Sequence, residues 1–206
     1  MDKYEVTVTF TEPVLGAVPK DKDTYIRYII ARAKKNGVEL TEEQIEQEAS
    51  TVEEMEETGW TGFHSEDGKP FEYDYVWLGY FKDACGMLRR GSDTLSSKIR
   101  AYKKNIDGLI FIKPRQVFYD MPEGIEMGML ERPLRASTPQ GERVALARSD
   151  ILPPSTTMTF KVWVIPNPKV GEAELREWLD YGELRGLRQW RNAGYGTFTY
   201  ELEKLS

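Results

Sequence analysis

Three arginines, Arg185, Arg188 and Arg191, recur at every third position within Tyr181 to Phe198, a stretch that also holds Gly182, Gly186, Gly194 and Gly196 and the aromatics Trp190, Tyr195 and Phe198. Guanidinium forks match phosphate oxygens, glycines let a ligand approach the backbone, and aromatic rings stack bases. The chemistry expected of Arg185, Gly186, Arg188, Arg191, Asn192, Gly194, Tyr195 and Gly196 is therefore the non-covalent grip of an anionic, base-bearing polymer. The bland alternative is a long connection with solvated arginines, in which Trp190 and Phe198 serve the core. Two further basic groups accompany the loop. Arg132, Arg135, Arg143 and Arg148 flank the turn tripeptide Pro139-Gln140-Gly141. Lys98, Arg100, Lys103 and Lys104 lie within Lys82 to Arg115, where nine bases face three acids. As a charge run, that last group also reads as a solvated face.

Bond-breaking chemistry finds thinner material. Metal-independent RNA cleavage wants a general acid or base, most often a histidine, and His64 is the only one in the chain. As a lone loop histidine it reads more readily as exposed or satisfied by a hydrogen bond. Cys85 falls on the apolar face of an expected helix, where a thiol is a small core residue. Glu72, Asp74 and Asp83 could offer carboxylates to a metal, but nothing in their spacing demands one. Binding without turnover is the favoured reading, with no metal and no cofactor.

The chain is 206 residues long, enough for a single domain (1–206) with a substantial core. No apolar run approaches the ~18 residues that cross a bilayer. The opening MDKYEVTVTF enters a strand at once, so an intracellular, cytoplasmic protein without a signal peptide or membrane association is expected. The net charge of −6 is unevenly spread. Nine glutamates and no base lie between Val38 and Thr61, and the remainder holds 25 acids against 28 bases. A mildly basic body with an acidic attachment (38–60) follows.

The elements that must position these residues follow from periodicity. Lys3–Thr11 and Thr157–Ile165 alternate apolar and polar residues and predict half-buried strands; Tyr195–Leu202 reads as a closing strand. Asp23–Lys35, an acidic helix from Thr41 with a Thr41–Gln44 capping box, Val76–Arg90 and Glu172–Tyr181 carry helical spacing. Gly182 stands where the last of these should stop. Gly59–Asp74 is turn-rich, Leu109–Lys113 is a short strand that Gln116–Tyr119 continues, and 130–150 forms a hairpin arm. The order fits an α+β, ferredoxin-like (RRM-like) core with helical and hairpin insertions.

With these residues in place, the chain resembles the RAMP proteins of CRISPR systems. The motif G-x-x-x-R-G-L-x-Q-x-R-N-x-G-Y-G-x-F at Gly182–Phe198 is similar to their glycine-rich loop between last helix and last strand. Tyr4–Gly16 resembles their first strand and its Pro/Gly loop, and Gly68–Ala84 the segment leading into their first core helix. About half the chain is covered, and only the C-terminal motif is moderately specific. The resemblance implies binding of single-stranded RNA along the sheet and the loop. It also implies a place in a ribonucleoprotein or self-assembled filament, and a thumb-like role for the hairpin arm. Some members cleave precursor RNA, which would fall to His64. A phage-encoded relative is one form such a chain would take. A third reading keeps the fold and makes the acidic helix the active surface, as in an anti-defence inhibitor.

Overall fold

Nine residues of strict alternation give the chain its first element, and the fold grows from it. In a computed structural model, the described residues are 1–21, 59–138 and 141–206, with a few positions between 25 and 45; side chains of 134–138 and 141–145 are outside the description. Strands β1 (Asp2–Phe10), β2 (Val14–Leu15), β3 (Val18–Pro19), β4 (Trp60–Gly62), β5 (His64–Glu66) and β6 (Lys69–Tyr73) precede helix α1 (Asp74–Leu88). A 3-10 turn at Ser96–Lys98, helix α2 (Tyr102–Leu109) and strands β7 (Ile110–Lys113), β8 (Gln116–Phe118), β9 (Gly128–Thr138), β10 (Gly141–Leu152) and β11 (Thr157–Val164) follow. Helices α3 (Glu172–Asp180) and α4 (Gly182–Arg185) and strand β12 (Phe198–Leu205) close the chain.

The chain divides into two compact units, and the first comprises 1–14, 71–125 and 153–206. Its sheet runs β12-β1-β11-β7, each strand antiparallel to its neighbour. Tyr4, Val6, Val8 and Phe10 of β1 and Met158, Phe160, Val162 and Val164 of β11 all point to one buried face. Trp77 and Phe81 of α1 and Trp178 of α3 close over it. The Trp77 ring lies 4.4 Å from Phe160 and 5.7 Å from Phe198, and Phe81 lies 5.6 Å from Trp178. Period-2 burial on the sheet and a 3.6-period stripe on the helices thus meet in one aromatic core. Cys85 is buried in it.

The second unit comprises 15–70 and 126–152. The long antiparallel ribbon β9–β10 dominates it, with β4 parallel to the base of β10 and β3 antiparallel to β4. Lys20 pairs with Asp150 at 2.8 Å, both side chains 6% exposed. The Trp60 indole donates to the same carboxylate at 2.8 Å, and the Lys20 ammonium lies 4.9 Å from that ring.

Several sequence boundaries move for physical reasons. The closing strand begins at Phe198, not Tyr195, because Gly194 and Gly196 adopt left-handed φ of +87° and +71° and turn the chain first. The helix before Gly182 ends at Asp180, but a short helix restarts at Gly182 itself. That glycine is there for room: a Cβ would run into the ring of Phe198. Gln116–Phe118 does not prolong β7 but pairs with Phe71–Tyr73 of β6. Thr41 and Gln44 make the reciprocal bonds of a capping box, at 3.0 and 3.3 Å. The rest of the acidic helix, and most of the helix expected at Asp23–Lys35, lie outside the described residues.

Candidate functional site

The arginine loop is held from beneath. Arg188, with φ of +72°, turns its guanidinium inward, where only 10% of the side chain is exposed, and Nε donates to Glu72 of β6. Glu72 is fully buried and also accepts from the Tyr119 hydroxyl. Burial pushes the Glu72 carboxyl and the Tyr119 phenol up, while pairing with Glu72 holds the Arg188 guanidinium firmly charged. Arg185 and Arg191 converge on Asp83 of α1, at 3.2 and 2.7 Å, and Arg185 also reaches Asn192 at 2.8 Å. About a quarter of each of these two side chains remains exposed. Leu187 N–H donates to the Gly196 carbonyl at 2.8 Å, and a Cβ on Gly186 or Gly196 would strike the facing backbone. The loop is closed on itself, and Trp190 and Tyr195 pack edge to face at 6.1 Å.

The remaining expected residues scatter. Lys98, Arg100, Lys103 and Lys104 are all exposed around the 3-10 turn and α2. That turn is fixed by Glu177 of α3, whose carboxylate accepts from the Leu95 and Ser96 amides at 2.6 and 2.9 Å. In the second unit, Arg132 is exposed on β9 and Arg148 pairs with Glu131 at 2.5 Å. The side chains of Arg135 and Arg143 are outside the described residues. His64 is 2% exposed, with its Nε2 3.1 Å from the Tyr25 hydroxyl.

A second candidate lies on the sheet of the first unit, on the face turned away from α1 and α3. Strand register sets its side chains in rows. Lys3 of β1 faces Trp163 of β11, and Trp163 faces Phe111 of β7. In the next row Glu5 faces Lys161, and Lys161 faces Lys113. Beyond them Thr7 and Thr159 bond to each other at 3.0 Å. Phe111 is 41% exposed, and Lys3, Lys161 and Lys113 are exposed beside it. Lys3 sets its ammonium 5.1 Å from the Trp163 ring. The Trp163 Nε1–H is shielded and has no acceptor among the described residues. Glu5, Lys113, Pro114, Thr159, Lys161 and Trp163 line a shallow depression of about 450 Å³. Aromatic rings one strand apart, next to paired lysines, are the means by which an open sheet holds a flexible, base-bearing polyanion.

Periodicity alone places Phe111, Lys113, Lys161 and Trp163 only as members of strands. The signal was present: each occupies the polar-side parity of its strand, where a Phe and a Trp are out of place.

No family model matches the chain, and no curated protein matches it. It does share its fold with a chain in a cryo-EM structure of the Type III-B Cmr-beta bound to cognate target RNA. That match has a TM-score of 0.55 at 10% identity and covers 100% of this chain and 61% of that one. A chain of a Type IV-B CRISPR complex matches with a TM-score of 0.44 at 11% identity, over 98% of this chain and 90% of that one. The present chain therefore spans about three-fifths of the length of its Cmr-beta counterpart. The class so defined is mixed α and β with antiparallel sheets, and the likeness to the Cmr-beta chain is one of fold.

Proposed function

We propose that this chain is a RAMP-like, single-stranded RNA-binding component of a CRISPR-type ribonucleoprotein, and that RNA rests on the uncovered sheet face. The observation that carries the reading is the register that sets Trp163 beside Phe111 and Lys161 beside Lys113. The order β12-β1-β11-β7, with α1 after β1 and α3 before β12, supports a ferredoxin-like core. The Cmr-beta chain with this fold comes from an assembly bound to target RNA. In this reading the glycine loop frames the core: Arg188 is committed to Glu72, while Arg185 and Arg191 reach phosphate only by exchanging Asp83 for it. The exposed Lys98, Arg100, Lys103 and Lys104 add a second phosphate contact. The arm, with Arg132 on its surface, is a separate candidate contact of the second unit. No turnover is assigned, since His64 is enclosed with Tyr25 and presents no nitrogen to a substrate.

The test is fluorescence anisotropy with labelled single-stranded RNA, duplex RNA and single-stranded DNA at two salt concentrations. Base–aromatic stacking is worth ~1–3 kcal/mol per base, so replacing Phe111 and Trp163 by Ala together weakens RNA binding at least ~30-fold. Unchanged affinity in a variant with wild-type circular dichroism overturns the platform. A His64→Ala variant that loses RNA cleavage would reinstate a nuclease.

A further inference from the structure

Asp83 stands between two arginines and satisfies both with one atom. Arg185 Nε and Arg191 Nη1 donate to the same carboxylate oxygen, Oδ2, at 3.2 and 2.7 Å. The two guanidinium groups therefore lie within about 6 Å of each other, close enough for like charges to repel. One carboxylate against two cations leaves the group with a net positive charge. Arg185 has a second hold, its Nη1 donating to Asn192 Oδ1 at 2.8 Å. Arg185 Nη2 and Arg191 Nε and Nη2 meet no acceptor among the described residues. Asp83 is 31% exposed, so the group is open to water and to solutes.

Resting on the RNA-binding reading above and deepening it, we infer that Asp83 is a built-in competitor for RNA phosphate. Its carboxylate keeps Arg185 and Arg191 paired until a phosphodiester takes its place. The arrangement is an anion site whose occupant is supplied by α1, an element outside the glycine loop. A phosphodiester suits the pair better than one carboxylate oxygen does, because two non-bridging oxygens give each guanidinium its own acceptor. Exchange is easy, since partly exposed ion pairs are weakly held. The loop need not rearrange for it: Asn192 retains Arg185, and the Leu187 to Gly196 bond at 2.8 Å keeps the backbone closed. Arg188 takes no part, its guanidinium lying against Glu72. The competitor also discriminates between phosphates. A free phosphate must displace Asp83 unaided, whereas a strand already seated elsewhere presents its backbone at high local concentration.

Anisotropy with labelled single-stranded RNA on the full chain decides the matter, comparing wild type with Asp83→Asn. The variant is expected to bind about fivefold tighter at low salt, because two exposed pairs no longer have to be broken. Asp83→Ala is expected to give the same gain, and Arg185→Ala with Arg191→Ala is expected to abolish it. Glu172→Gln removes the same charge from a pair with one cation, Arg176, and should leave affinity within about twofold. Wild-type affinity in both Asp83 variants, or a gain that survives without the two arginines, overturns the competitor. An Asp83→Asn chain whose melting temperature rises with inorganic phosphate while its RNA affinity stays at the wild-type value assigns the site to free phosphate and also overturns it. Changing Phe111 and Trp163 to Ala separates this inference from the platform. Unchanged RNA affinity there, with the Asp83→Asn gain intact, removes the platform and leaves the competitor. Wild-type and Asp83→Asn chains that both fail to bind RNA remove both.

Discussion

Arg188 is one of the three loop arginines expected to grip phosphate, yet its guanidinium lies against a carboxylate 116 positions away in the chain. That partner cannot be read from local spacing. Glu72 sits in a strand, Arg188 in a loop, and only the closed fold brings them together. Because both are buried, removing one leaves the other uncompensated. Arg188→Ala is expected to cost ~3–5 kcal/mol by urea unfolding. Arg185→Ala and Arg191→Ala, whose partner Asp83 stays in reach of water, should each cost ~1 kcal/mol or less. Equal losses at all three positions would contradict the buried pairing. The carboxyl also gives a pH signature. Burial holds Glu72 above the ordinary carboxylate range, so the folded state binds its proton more tightly than the unfolded one does. The wild-type advantage over Glu72→Gln is largest below the unfolded pKa. It shrinks as pH rises from about 4.5 through the folded value. Urea midpoints of the two proteins across that range provide the check, and a difference that widens with pH has the wrong sign.

Elements were more legible than their ends. Alternation in β1 and β11 and the apolar stripe of α1 are written in single-residue periods, and those elements stand where the periods lie. The end of α3 and the start of β12 are different. They depend on Gly182 touching Phe198 and on two left-handed glycines, relations that span the loop. Gly182 reads in sequence as a terminator but acts as a socket. Gly182→Ala should therefore destabilise the chain by ~1–3 kcal/mol through overpacking. Adding Phe198→Leu should return part of that loss, because two residues in contact are not additive. A strictly additive double mutant in urea would place the defect elsewhere. The open sheet face belongs to this scale as well: strand parity showed which residues face outward, but only register shows that the two rings and the two lysines are neighbours.

Charge belongs to the whole molecule. The nine glutamates between Val38 and Thr61 turn a body of +3 into a chain of −6. Replacing all nine by Gln keeps chain length while raising net charge to +3. RNA association at low ionic strength should then accelerate and tighten. The gain should vanish near ~1 M salt, where the screening length is only ~3 Å. Stopped-flow anisotropy at both extremes tests this. Slower association at low salt would mean that the acids assist RNA binding and do not merely repel it. The overall α+β architecture was legible from element order, since helices and strands of these lengths have few ways to cover one another. The division into two units was not, because each is assembled from separated stretches of chain.

The closed glycine loop has a consequence for how this sequence tolerates change. Gly186, Gly196, Arg188 and Glu72 hold one another through backbone clearance and a buried ion pair, whatever ligand the protein meets. A library selected only for soluble expression should retain them. The same library selected for RNA capture should additionally retain Phe111, Lys113, Lys161 and Trp163, which folding alone leaves free to drift. Two selections on one library would thus print two different maps, and the motif that looks most like a binding signature should appear on both.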